Sequence, residues 1–192
     1  MYKAEYCDKG IVVDILTRAN DTNPGANLII KQDQKRVLRL SKLMAHIFDV
    51  CYLFGEVFLS KDKKACALVL YPEKRKGSIK SILLDIKLVF QCIGFRNIFK
   101  ILSSEKARKK IRPKSPISYL WNIGVDPQYQ RKGLGSFLME EVTRHSFSQQ
   151  RPIYFEAMIP HNISWYKKMG FTLYHEEHLV QKVSFFKKDM PV

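Results

Sequence analysis

The feature that most constrains this chain is the passage YLWNIGVDPQYQRKGLGSFLMEE, where an apolar strand ends at Val125 and a helix opens near Gly133. Between them lies a loop with Arg131, Lys132, Gly133 and Gly135. A helix N-terminus presents unpaired N–H groups and a partial positive charge, so the arrangement builds an anion site. The two glycines let the backbone come close to a phosphate, and Arg131 and Lys132 add full charges at the same place. Spacing narrows the anion. Without GxxxxGK[ST], the loop is not a nucleotide P-loop. Dinucleotide folds share the G-x-G and an acid placed like Glu156. Here, however, Leu138 stands where the third glycine belongs, and the loop is too long for that tight turn.

Apolar spacing along the rest of the chain predicts one mixed α/β domain. Residues 1–6 read as a short edge strand, and 8–20 as a helix with Asp8 as N-cap and Ile11, Ile15 and Leu16 on one face. DTNPGAN reads as loop. Val37, Leu40, Leu43, Met44, Ile47 and Cys51 have helical spacing, and FGEVFLS with KACALVLYP reads as an antiparallel hairpin. Residues 78–102 are helical, with Ile79, Ile82, Leu83, Ile86, Phe90 and Ile93 near one face. After Pro113 and Pro116 the order is strand, helix, strand, short helix to Gly170, and a final strand pair. The segment 73–116 reads as a basic helical insertion between two strands of a single domain, 1–192.

Two motifs resemble the GNAT superfamily of acetyl-CoA-dependent N-acetyltransferases. VDPQYQRKGLG matches its Q/R-x-x-G-x-G/A signature at Gln130, Gly133 and Gly135, and NISWYKKMGF is similar to its second element, in which an asparagine and a tyrosine precede Gly-Phe. The motifs stand in the family's order with one strand between them. The resemblance implies a largely antiparallel mixed sheet flanked by helices, with the fourth and fifth strands splayed apart. It departs at 73–116, where the family usually has a short turn.

The resemblance further implies that the anion is the pyrophosphate of coenzyme A, wrapped by the amides of Arg131, Lys132, Gly133, Leu134, Gly135 and Ser136 beside Gln130. The pantetheine arm would lie along Ile123, Gly124 and Val125, paired with the backbone as an added strand is. Gly124 is expected to mark the bulge that parts the strands. Asn162 would hydrogen-bond the cofactor arm or cap its helix.

Acetyl transfer needs a neutral amine, a polarised carbonyl and a protonated leaving thiolate. A lysine-like amine, with a pKa of about 10.4, needs help to lose its proton. The Ile123 N–H is placed to hold the carbonyl oxygen. By resemblance, Tyr166 is the proton donor to the thiolate. Glu156 is the leading candidate for the base, and Glu56, His161 and His145 remain as alternatives of suitable chemical type. Cosubstrate and acceptor are thus acetyl-CoA and an amine, with no metal expected.

Composition bounds the rest. The chain of 192 residues is 46% hydrophobic, so it can bury a core. No stretch reaches the about 18 apolar residues that suggest a spanning helix. With no secretory signal at its start, the chain is expected to be cytoplasmic. Cys51, Cys66 and Cys92 sit in apolar runs and read as small buried hydrophobes. Of the formal charge of +15, an excess of ten falls within 73–116, which holds 13 Lys and Arg against three Asp and Glu. That segment could bind an anionic membrane surface, nucleic acid or an acidic partner. The alternative function is therefore an inactive binding module on the same fold.

Overall fold

A computed structural model describes residues 1–75, 78–89, 92 and 95–191. Among the described residues seven strands form one sheet: β1 (Tyr2–Lys3), β2 (Gly55–Leu59), β3 (Ala65–Leu70), β4 (Ser118–Val125), β5 (Ile153–Ala157), β6 (Thr172–His178) and β7 (Lys182–Lys188). Their order is β1-β2-β3-β4-β5-β7-β6, and only β4 and β5 run parallel. This is the mixed, largely antiparallel sheet that the family resemblance implied.

Helices cover both faces. On one lie α1 (Lys9–Ala19), α2 (Pro24–Ile29), α3 (Arg36–Phe54) and α5 (Ile79–Leu88), around a core that includes Leu16, Leu40, Phe48, Leu59 and Leu68. On the other, α7 (Leu134–Ser148) and α8 (Ile163–Lys168) cover Leu120, Leu138, Phe155 and Phe186. The short α4 (Pro72–Arg75) and the long α6 (Phe95–Ile111) complete the insertion.

Local chemistry explains where the elements differ from expectation. DTNPGAN contains the start of α2: the Asn23 side chain accepts from the Gly25 and Ala26 amides, and Pro24 occupies the first helical turn. A proline there gives up an N–H that would be unpaired anyway. Asp8 precedes α1 without capping it. Its carboxylate instead accepts from the Glu5 amide and from Lys63. The α1 core face is Val12, Ile15 and Leu16, with Ile11 exposed, as Val37 is on α3. Cys51, Cys66 and Cys92 are buried and free.

The insertion departs most. Its helical run is two helices, α5 and α6, and the stripe Ile79, Ile82, Leu83 and Ile86 points outward. Leu84 and Leu88 face the core instead. Phe90 and Ile93 lie outside the described residues.

Candidate active site

The sheet opens at β4 and β5. They pair only at Ser118 with Ile153 and Tyr119 with Tyr154, although β4 runs on to Val125. From Leu120 onward the edge of β4 that faces β5 carries no strand, while its other edge stays paired to β3 as far as Val125. Such an edge offers N–H and C=O groups to an extended ligand.

The bulge lies at Trp121 rather than Gly124. Leu68 faces Asn122 and Val69 faces Leu120, so Trp121 is the extra residue on β4. Gly124 serves close packing: a Cβ there would stand 2.8 Å from Leu16 Cδ2 and 3.2 Å from Ala19 Cβ. It lets α1 lie against β4 beside the gap.

At the mouth of the gap the loop after β4 is anchored at its start. Asp126 accepts from the Gln128 amide (3.2 Å) and from Arg18 (2.8 Å), and its own N–H donates to Lys64 O. Gln130 Nε2 donates to Val125 O. Arg131 (φ 60°) and Gly133 (φ 82°) are both left-handed, the alternation that curls successive amides into an anion-binding nest. Lys64 Nζ lies 4.1 Å from the Tyr129 ring centre and Lys132 Nζ 5.4 Å. No acidic residue occupies the first turn of α7.

The glycines leave room. A Cβ on Gly133 would meet nothing within 4 Å, and one on Gly135 would meet only Val125 Cγ2 at 3.6 Å and Trp165 Cζ2 at 3.9 Å. The protein's own packing therefore does not demand glycine at 135, whereas close approach of a phosphate does. Unpaired first-turn amides, flanking cations and an open strand edge suit coenzyme A.

α8 bridges the start of α7 and β5 on the opposite face from α1. Trp165 Nε1 donates to Ser136 Oγ (2.9 Å), and the Tyr166 ring lies 4.6 Å from that of Phe155 on β5. Tyr166 is 9% exposed. Burial pushes its phenol up to about 12, against the opposing effect of a hydrogen bond with Asn162. Asn162 makes no side-chain cap bond at α8. Gly170 (φ 79°) then turns the chain out of α8.

The α1 face of the gap is walled by polar pairs. Asn20 Nδ2 donates to Asn122 Oδ1 (3.4 Å), and Asn122 approaches Met44 Sδ. A Cβ on Gly25 would run into Met158 Sδ, so α2 closes against the residue following β5. From the insertion, Arg112 donates to Glu156 Oε1 (2.6 Å and 2.9 Å) and to the Tyr119 hydroxyl. Arg108 Nε lies 3.1 Å from Glu156 Oε2, off the line for a hydrogen bond. The Glu156 side chain is 5% exposed.

The other base candidates sit elsewhere. Glu56 on β2 lies two strands from the gap, with its Oε2 2.6 Å from both His145 Nε2 and the Tyr71 hydroxyl. His161 is exposed in the turn before α8. Sequence reasoning singled out the loop, the strand edge, Tyr166, Asn162 and Glu156. It passed over Asn20, Trp121, Trp165 and Arg112, of which only Trp165, beside Tyr166 in its motif, carried a local signal, and it counted Arg108 among the insertion's surface charges, whereas Arg108 turns inward to Glu156.

Residues 87–173 match the family model described as an acetyltransferase (GNAT) domain. A structure described as histone acetyltransferase HPA2 and related acetyltransferase from Corynebacterium glutamicum superposes with a TM-score of 0.69 at 18% identity, covering 100% of this chain and 96% of that one. The C-terminal condensation domain of Ebony, in complex with beta-alanyl-dopamine, gives 0.69 at 14% identity, covering 98% and 97%. A mosquito arylalkylamine N-acetyltransferase like 5b gives 0.55 at 13% identity, covering 97% of each chain. At such identities these likenesses speak to the fold.

Proposed function

Because this chain belongs to the GNAT acetyltransferase superfamily, we propose that it transfers an acetyl group from acetyl-CoA to a primary amine by direct attack. The observation that carries this reading is the opening between β4 and β5, with an amide-lined cationic loop at its mouth and a buried tyrosine on its flank. Names borne by two similar folds, one with an arylalkylamine and one with beta-alanyl-dopamine, support an amine as acceptor.

Acetyl-CoA supplies the acetyl group as a thioester and departs as the thiol. The amides of residues 131–136, with Arg131 and Lys132, hold the pyrophosphate, and Gln130 braces the loop against Val125. Ile123, Gly124 and Val125 pair with the pantetheine arm, and the Ile123 N–H holds the carbonyl oxygen. Tyr166 gives its proton to the departing sulfur. A phenol held near 12 is fully protonated at neutral pH, as a donor must be. Asn162 aims that hydroxyl. Glu156 is held by Arg112 and faced by Arg108, so its standing role is to shape the acceptor side.

Gly135→Glu tests the cofactor site. Its Cβ fits the apo fold, while its carboxylate would enter the phosphate cradle. Saturating acetyl-CoA, at about 100 times its dissociation constant, should stabilise the wild type by about 2.7 kcal/mol. In the variant the thermal shift should vanish, while the unliganded melting temperature holds. Equal stabilisation of both proteins would remove the site from this loop.

A further inference from the structure

α5 is apolar on two sides. Leu84 and Leu88 pack inward, which already gives the helix its hold on α3. Yet Ile79 is 75% exposed, Ile82 57%, Leu83 61% and Ile86 48%. These positions follow i, i+3, i+4, i+7, so they form one stripe. Farther along the insertion, Phe99 is 82% exposed and Leu102 60%. A helix that merely covers a core carries charge on its outer face, and a stripe of four large aliphatic side chains in water is unfavourable without a partner.

The charge around this stripe limits what can cover it. The segment 73–116 holds the excess of ten positive charges, and Lys80, Lys106, Lys109, Lys110 and Lys114 are exposed. A second copy would bring two such segments face to face. A nucleic acid would answer the lysines but leave the aliphatic stripe in water. An anionic bilayer answers both, because its headgroups attract the lysines and its acyl boundary takes the apolar side chains. We propose that the insertion docks the enzyme on the surface of an anionic lipid bilayer, with the outer face of α5 as the part that enters it. No described helix is long and apolar enough to cross a membrane, so the contact is interfacial.

Co-sedimentation of the full-length protein with vesicles tests this. Vesicles of phosphatidylcholine mixed with phosphatidylglycerol should bind the wild type, vesicles of phosphatidylcholine alone should not, and binding should weaken as salt rises. Leu83→Asp/Ile86→Asp should lower binding by at least about tenfold. Both side chains are exposed on the outer face of α5, so acetyl-CoA stabilisation should be unchanged. Replacing Lys106, Lys109, Lys110 and Lys114 with Gln should lower binding by up to about a thousandfold. Arg108 and Arg112 stay, because they hold Glu156. Three results would overturn the proposal: no binding to anionic vesicles at low salt, equal binding by Leu83→Asp/Ile86→Asp, or a wild-type dimer that this variant converts to monomer. RNA binding by both proteins without vesicle binding would transfer the segment to nucleic acid.

Discussion

His46 shows how far one buried group can govern the pH response. It stands on α3 beneath Trp121, with Asp85 of α5 3.6 Å from its Nε2. Burial drives its pKa down to about 4, against the raising effect of Asp85. In the unfolded chain the imidazole takes its proton at about pH 6.5. The folded state binds that proton less readily, so full stability is present above about 6.5 and is lost as pH falls towards 4. The loss should reach about 3 kcal/mol. His46→Gln should flatten that part of the denaturation profile between pH 6.5 and 4, and equal slopes in both proteins would show that His46 does not drive it. Residues whose role depends on neighbours close in sequence, such as Gly133 and Gly170, were legible from their local pattern. Gly124 was not, because α1 sets its role from more than a hundred residues away.

Elements were legible where hydrophobic period and turn chemistry agreed, as in β4, α7 and the closing strand pair. They were less legible where two apolar faces share one helix. On α5 periodicity marks the stripe, but only packing shows that it is the outer one while Leu84 and Leu88 face the core. α6 carries a second lesson. Its basic run reads as a solvated charge cluster, yet Arg112 and Arg108 turn inward to Glu156 on β5. Nothing local in the sequence links residues 44 apart. Glu156→Gln would leave Arg108 without its carboxylate and Arg112 with Glu105 alone, and truncating one partner of a buried pair typically costs about 3 kcal/mol or more. Chemical denaturation of the variant should show that loss. Unchanged stability together with lost turnover would make Glu156 the base.

For the molecule as a whole, strand order and the parting of β4 from β5 bring together groups that the sequence scatters. The glycine loop, Tyr166 and the Asn20–Asn122 pair belong to the start of α7, to α8 and to the α1 side, and only the sheet brings these elements together around one opening. Two motifs in register made the loop and the tyrosine visible in advance. The side-chain contacts that α2, α6 and β5 make on the α1 face emerge only from tertiary packing. The central claim is that this opening transfers acetyl groups and does not merely bind. The direct measurement is amine-dependent release of free thiol from acetyl-CoA, in wild type and in Tyr166→Phe, with acetyl-CoA affinity measured on both. Turnover with at least one amine is expected in the wild type. In the variant kcat should fall by about 10²–10⁴-fold at unchanged affinity, since only the proton donor is removed. A wild type that binds acetyl-CoA but releases thiol with no amine, or a variant with undiminished kcat, would contradict it.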